Sequence, residues 1–159
     1  MRGIRIGVGV ADPGGTPLDA LLAQVRGAEQ AGFHSVWIPN IFGMDALTLC
    51  ALAGRETSRI EIGTAVVPTH SRHPVFAAQQ ALTTQAACGG RFVFGLGPSH
   101  QIVIENMLGL SYAHPALHVE EYLRVVTDLV RHGKTAFQGR LYRVNASLSV
   151  KVDKPCPVL

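Results

Sequence analysis

The sequence predicts an α/β fold in which parallel strands alternate with helices, arranged as the first half of a (β/α)8 barrel of the TIM type. Two observations carry this reading. Apolar, strand-like runs begin near residues 4, 34, 60 and 91 of the 159, and each is followed by a helical stretch. A spacing of about 30 residues is that of a repeated βαβ unit, which builds a parallel sheet. The competing architecture is a doubly wound sheet, but the first strand–helix turn, VADPGGTP (10–17), lacks the G-x-G-x-x-G fingerprint expected there. Four units end at Gly133, close to half of the ~250 residues of a whole barrel.

Taken in order, IRIGVGVA (4–11) places Ile4, Ile6, Val8 and Val10 on one face and reads as a buried strand. Thr16 is the expected N-cap of the following helix, with Pro17 at its first position and Asp19 near its positive end. Leu18, Leu21, Leu22 and Val25 keep helical spacing, and Gly32 is the expected stop. HSVWIPN (34–40) is a strand, and residues 45–56 form a helix capped by Asp45. IEIGTAVVP (60–68) is a strand, and residues 74–88 form a helix opening on Pro74 and stopping at Gly89. RFVFGLG (91–97) is the fourth strand. A helix over about 115–132 presents Val119, Tyr122, Leu123, Val126, Leu129 and Val130 on one face, with Glu120 and Glu121 early and Arg131 and His132 late. The rhythm then breaks: 134–150 reads as a hairpin insertion turning at Gln138-Gly139, and 154–159 as the start of a fifth buried strand. The whole is read as a single domain.

Hydrophobic residues make up 47% of the chain, ample for a core, while charged residues supply only 16%, which suggests apolar surface meant to be covered. The net charge of +3 is spread without the basic stripe that nucleic acid would need, so the expected partner is a small molecule. Cys50, Cys88 and Cys156 are far apart, odd in number and without C-x-x-C, which argues against a disulfide framework or a zinc site. There is neither an apolar run of about 18 residues nor a signal-peptide pattern, so the expectation is a cytoplasmic protein with no membrane partner.

Either α/β architecture puts ligands at the carboxyl ends of the strands. The candidates there are Asp12; Asn40 and Asp45; Thr69, His70, Arg72 and His73; and Ser99 and His100. Each has a plain structural reading as a cap, turn or solvated loop. No paired carboxylates, H-x-x-x-H or G-x-S-x-G stand out, so spacing alone yields a ligand-binding α/β protein and no reaction.

The stretches AEQAGFHSVWIPN (28–40), IEIGTAVVPTHSRHPVFAAQQALTTQAACGGRFVFGLGPSH (60–100), MLGLSY (107–112) and VEEYLRVV (119–126) together resemble the luciferase-like monooxygenase superfamily, most closely its coenzyme F420-dependent oxidoreductases. The resemblance implies a (β/α)8 barrel with a deazaflavin, or alternatively FMN, laid across the strand ends. It implies hydride transfer between the cofactor and an organic substrate, with an FMN-dependent monooxygenase as the alternative. It places the cofactor against Asn40, Thr64, Ala65, Val66, Val67, Gly97, Pro98, Ser99 and His100, and by alignment of GTAVV it implies a cis peptide between Ala65 and Val66. Glycine near the ring would allow main chain to approach it. His70, Arg72 and His73 could neutralise an anionic tail, on charge alone. Asn40 stands where many relatives carry an acid and Ile41 where some carry histidine, so no catalytic acid or base is assigned.

The same resemblance implies four further strands in full members, and the chain is accordingly read as truncated. Two open sheet edges and an apolar inner face then favour self-association, so a homo-oligomer is expected. A non-catalytic fragment acting only through that association is the remaining alternative.

Overall fold

The computed structural model describes residues 4–12 and 14–159. Strands and helices alternate first, the expected third strand being split in two: β1 (Gly7–Gly9), α1 (Leu18–Gln30), β2 (Ser35–Ile38), α2 (Ala46–Glu56), β3 (Glu61–Thr64) with β4 (Val67–Pro68), and α3 (Pro74–Ala87). β5 (Phe92–Val93) and β6 (Leu96–Gly97) follow, then a π-helical turn over Val103–Met107, α4 (Pro115–His132), and the hairpin β7 (Lys134–Gln138) and β8 (Arg143–Ser147). β1, β2, β3 and β5 pair in parallel and in chain order, with Val8, Val36, Ile62 and Phe92 aligned in register. Beyond a break at residues 65–66, β4 pairs in parallel with β6. The last residues continue the series, because Phe94 N donates to Pro157 O (2.8 Å) and Leu159 N to Phe94 O (2.9 Å). Neighbours in strict chain order are how a barrel begins, whereas a doubly wound sheet reverses its order part-way.

Alternation along the strands sorts the residues. Val36, Ile38, Ile62 and Phe92 are buried with Leu21, Val25, Leu47, Ala78 and Leu82 of the helices, each helix packing against the next. On the other face Trp37 lies across the two strands beside it. A Cβ on Gly7 would come within 2.8 Å of its Nε1, and one on Gly63 within 2.6 Å of its Cε3. Glycine at these two positions makes room for the indole, whose N–H donates to Ser35 Oγ (3.1 Å).

The N-terminal end of the strands is tied by polar contacts. Arg91 donates to the carbonyls of Gly54, Thr57 and Ile60, each at 2.8 Å, and the Glu29 carboxylate accepts from the N–H groups of Ser58, Arg59 and Ile60. The buried Gln85 accepts from Phe92 N and donates to Lys154 O (both 2.9 Å), fastening the final segment to α3 and β5. That end of the fold carries stability, which leaves the opposite end for function.

Four expectations are corrected. Ile4 and Ile6 are 91% and 58% exposed, because among the described residues β1 has a strand neighbour on one side only. α1 starts at Leu18 with Pro17 in the N-cap position, its carbonyl accepting from Ala20 and Leu21, while the Thr16 hydroxyl turns to Asp12. On α4 the buried face includes Glu121 and Val125, with Val119 and Leu123 only half-buried, a rotation set by the hairpin that packs on it. The hairpin turn is wider than Gln138-Gly139: Gly139 N donates to Tyr142 O (2.8 Å), and the Glu121 carboxylate gathers the N–H groups of Arg140, Leu141 and Tyr142.

Candidate functional site

At the carboxyl ends of the strands, the segment between β3 and β4 leaves the sheet and returns. The Ala65–Val66 peptide is cis, as the resemblance implied, and both residues are exposed, Val66 to 42%. Thr64 and Val67 on either side face inward and are fully buried. The Thr64 hydroxyl donates to Gly95 O (2.8 Å) and accepts from Gly95 N (2.9 Å), closing the gap that the departure opens.

The glycines of GLG answer to this geometry. A Cβ on Gly95 would overlap the Thr64 carbonyl oxygen, and one on Gly97 would stand 2.7 Å from Val66 Cγ2. The side-chain space that a strand residue normally fills is taken by the neighbouring bulge. The immediate reason for glycine at both positions is therefore the fit between two strands.

The loop after β2 is organised around the start of α2. Asn40 Oδ1 accepts from Ala46 N (3.0 Å), and Asp45 Oδ1 accepts from Thr48 N (2.9 Å) and the Thr48 hydroxyl (2.8 Å). Arg72 reaches across from the loop after β4 and forms an ion pair with Asp45. Burial pushes the Asp45 carboxyl up, but the Thr48 donors and the Arg72 guanidinium outweigh it and hold it below the usual range. Asp12 is also held low, chiefly by Gly14 N–H and the Thr16 hydroxyl, and it sits where a side chain on Gly43 would stand.

The basic cluster THSRHP is thereby committed elsewhere. Arg72 serves Asp45, His73 Nδ1 accepts from Val75 N (3.3 Å) as the N-cap of α3, and His70 is turned inward with both ring nitrogens sealed from solvent. Charge alone suggested a cradle for an anionic tail; the contacts make the cluster a set of caps and clamps.

The turn after β6 is the other wall. Gly97 is buried, Pro98 and Ser99 are half-buried and His100 is exposed. Ser99 adopts φ +65°, a left-handed conformation uncommon outside glycine. Its carbonyl accepts from the Tyr112 hydroxyl (2.9 Å), and the His100 carbonyl accepts from Val103 and Ile104 to start the π-helical turn. Tyr112 stacks on His70 (centroids 5.3 Å apart) and His70 on His118 (3.9 Å, 10° between planes). Sequence reasoning missed Tyr112, His118 and Tyr142 as site-supporting residues. Tyr112 and His118 lie 42 and 48 positions from the His70 on which they stack, and no local pattern announces such a contact.

The structure thus brings Ala65, Val66, Ser99 and His100 to the carboxyl ends of the strands, where exposed apolar Ile41 and Phe42 lie in the loop after β2 and Ile102 in the helical turn after β6. Asn40, Thr64, Val67, Gly97 and Pro98 frame them from beneath or beside.

The luciferase-like monooxygenase family model matches residues 4–159, and the chain belongs to that family. A Mycobacterium tuberculosis protein named as a coenzyme F420-dependent oxidoreductase is 32% identical over 143 residues, covering 89% of this chain and 41% of the relative. The 5,10-methylenetetrahydromethanopterin reductase of Methanopyrus kandleri is 25% identical over 141 residues, covering 77% and 39%. Among solved structures, the F420-dependent tetrahydromethanopterin reductase of the same organism superposes with TM-score 0.83 at 20% identity, over 92% of this chain and 46% of that one. An F420-dependent secondary alcohol dehydrogenase superposes with TM-score 0.84 at 22% identity, over 97% and 51%. The type II Baeyer–Villiger monooxygenase component from Pseudomonas putida, in complex with FMN, gives 0.78 at 16% identity, over 95% and 46%. The fold is the TIM-barrel type of these enzymes, and the chain spans about half the length of the relatives it matches or less. Among the described residues, no helix is long and apolar enough to cross a membrane.

Proposed function

We propose that this chain forms the N-terminal half of a coenzyme F420-dependent oxidoreductase and holds one face of the deazaflavin ring. The observation that carries the reading is the exposed Ala65–Val66 bulge, seated on Gly95 and Gly97 and walled by the left-handed Ser99 turn. The residues fit such a group. Val66 offers an apolar shoulder to a flat ring, Ile41, Phe42 and Ile102 offer apolar flanks, and Ser99 and His100 offer a hydroxyl, a ring nitrogen and main-chain N–H groups at its polar margin.

When bound, the deazaflavin supplies the carbon that takes up or releases hydride, with a small organic molecule as the other partner. The protein's part is orientation. Val66 would set the height of the ring, because the residues on either side of it are pinned: Ala65 N donates to Ile38 O and Val67 N to Gly95 O (both 2.9 Å). Asn40 uses its carbonyl oxygen on the α2 N-terminus and carries no titratable proton, so proton transfer at that position is not assigned to it. FMN is the alternative occupant of the same shelf. We place the protein in the cytoplasm, consistent with three buried free thiols, and as a homo-oligomer, because β1 pairs with a strand on one side only among the described residues.

The test is a fluorescence titration of the purified chain with F420 and, separately, with FMN. Saturable binding of F420, tighter than FMN, is expected; tighter FMN binding selects the monooxygenase alternative. No change with either, at concentrations that saturate a full-length relative, leaves the chain without this function. Size-exclusion chromatography checks the oligomer.

A further inference from the structure

A column of rings stands against the Ser99 turn, and neither the fold nor the shelf accounts for it. Tyr142 donates to or accepts from His118 Nδ1 (3.3 Å), His118 Nε2 meets Thr69 Oγ1 (2.9 Å), His118 stacks face to face on His70, and His70 stacks on Tyr112. The Tyr112 hydroxyl then donates to the carbonyl of Ser99, the one residue of the turn held at positive φ. Such a conformation persists in a non-glycine residue only where its surroundings enforce it. The Tyr112 hydroxyl is the side-chain contact made to Ser99 itself, alongside the β4–β6 pairing at Gly97 and the helical turn that opens on the His100 carbonyl. That ring is stacked on an imidazole pair.

Two stacked imidazoles are compatible with this arrangement only while uncharged. Both His70 nitrogens are shut away from solvent without a well-aligned partner. The groups around the pair offer no counter-charge. From the loop after β4 come Thr69, His73 and Arg72, the last ion-paired to Asp45. From α4 comes Tyr122, whereas Glu121 is turned away to the hairpin N–H groups. From the hairpin comes Tyr142, and from the Ser99 turn come Tyr112 and the Pro98 carbonyl. Among the described residues, neither ring forms an ion pair with a carboxylate.

We propose that Tyr112 is the positioning residue of the Ser99 turn and that the His70–His118 stack holds it in place only when both imidazoles are neutral, so that acid loosens the turn and releases the cofactor. The second clause rests on reading the shelf as a deazaflavin site; the first does not. Burial lowers the affinity of both rings for protons: His70 sits below its ordinary value despite the Pro98 carbonyl, and His118 is pushed down to about 4 by burial and by His70. The loosening therefore belongs below the ordinary histidine value of 6.5 and extends down to about pH 4, where His118 takes up its proton.

The experiment follows two readouts over pH 4 to 8. One is the NMR titration of the His70 and His118 ring protons together with the Ser99 and His100 amides in the unliganded chain; the other is F420 affinity by fluorescence. The wild type should show the Ser99 amide moving with the histidine inflection below pH 6.5. Tyr112→Phe keeps the stacked ring but removes the hydroxyl, and should uncouple the Ser99 amide from the histidines and weaken F420 about 5- to 10-fold at neutral pH. His70→Phe keeps a stacking ring without a proton site, and should flatten the acid loss of affinity. Ser99 amides indifferent to the histidine titration, or identical in Tyr112→Phe, overturn the positioning role. Coupling without F420 binding at any pH overturns the cofactor clause alone. F420 binding that ignores both pH and Tyr112→Phe leaves the shelf and removes the proposal.

Discussion

Replacing Gly95 by alanine strikes the contact on which the bulge rests. The added Cβ would overlap the Thr64 carbonyl oxygen and lie 3.1 Å from its carbon, inside the 3.0 Å that Cβ atoms keep from the oxygen and close to it from the carbon. The obstacle is main chain, so no rotamer change relieves it. β3 and β5 must part, and the parting stretches the two bonds that the Thr64 hydroxyl makes with Gly95 in a place where Thr64 is only 1% exposed. Overpacking of this kind costs about 1–3 kcal/mol. Two weakened buried hydrogen bonds add about 1 kcal/mol each. The expected loss of about 3–5 kcal/mol is a large share of a small domain's stability, roughly 5–15 kcal/mol. Urea unfolding, followed through the fluorescence of Trp37, the only tryptophan, reads it as a lower midpoint. Gly27→Ala in α1 is the control: nothing lies within 4 Å of its added Cβ, and alanine should stabilise by about 0.5–1 kcal/mol. A Gly95→Ala midpoint equal to that of the wild type would refute the packing argument.

Three further outcomes follow from the contacts around the shelf. Arg72→Ala should cost about 1 kcal/mol or less through the partly exposed pair with Asp45, and F420 affinity should change less than about threefold; a loss of more than tenfold would return Arg72 to an anion-binding role. Glu121→Gln should speed hydrogen exchange at Arg140, Leu141 and Tyr142, and in the wild type acid should do the same. The Glu121 carboxyl is held below its ordinary 4.5 by those N–H groups, which outweigh the opposing effect of burial, so its contribution is complete above that value and fades as pH falls through the lowered one. Melting temperature should also fall between pH 6.5 and about 4, because the unfolded chain protonates His118 where the folded one does not. The full shift corresponds to about 3 kcal/mol, trimmed by partial exposure to about 1–2 kcal/mol; a shallower fall in His118→Asn, with His70 still titrating, is the expected contrast.

The strand–helix rhythm was legible because each unit carries its own punctuation. Asp45 caps α2, Pro74 opens α3, and the β-branched runs mark the strands. The burial of β1 was misread because alternation reports which face a strand could bury, not whether a neighbour is there to bury it. Ile4 and Ile6 satisfy the pattern and remain bare. At the site, the loops were found because strand ends are fixed by topology, whereas the employment of side chains within them was not. Arg72 and His73 read as free cations until Asp45 and Val75 N claimed them. The glycines of GLG read as room for a ring, but the first thing they accommodate is the strand alongside. Stacking of His70 on Tyr112 and His118 joins segments 42 and 48 positions apart, which no short-range pattern reports.

The central claim is that the bulge and the Ser99 turn meet a flat redox heterocycle. Backbone and methyl NMR shifts during an F420 titration test it most directly. Ala65, Val66, Ser99 and His100 should move together and saturate at one affinity, while Gly32, Gly90 and Arg91 at the far end of the strands stay still. Movement confined to that far end, or none at the bulge when the cofactor is bound, would contradict the account.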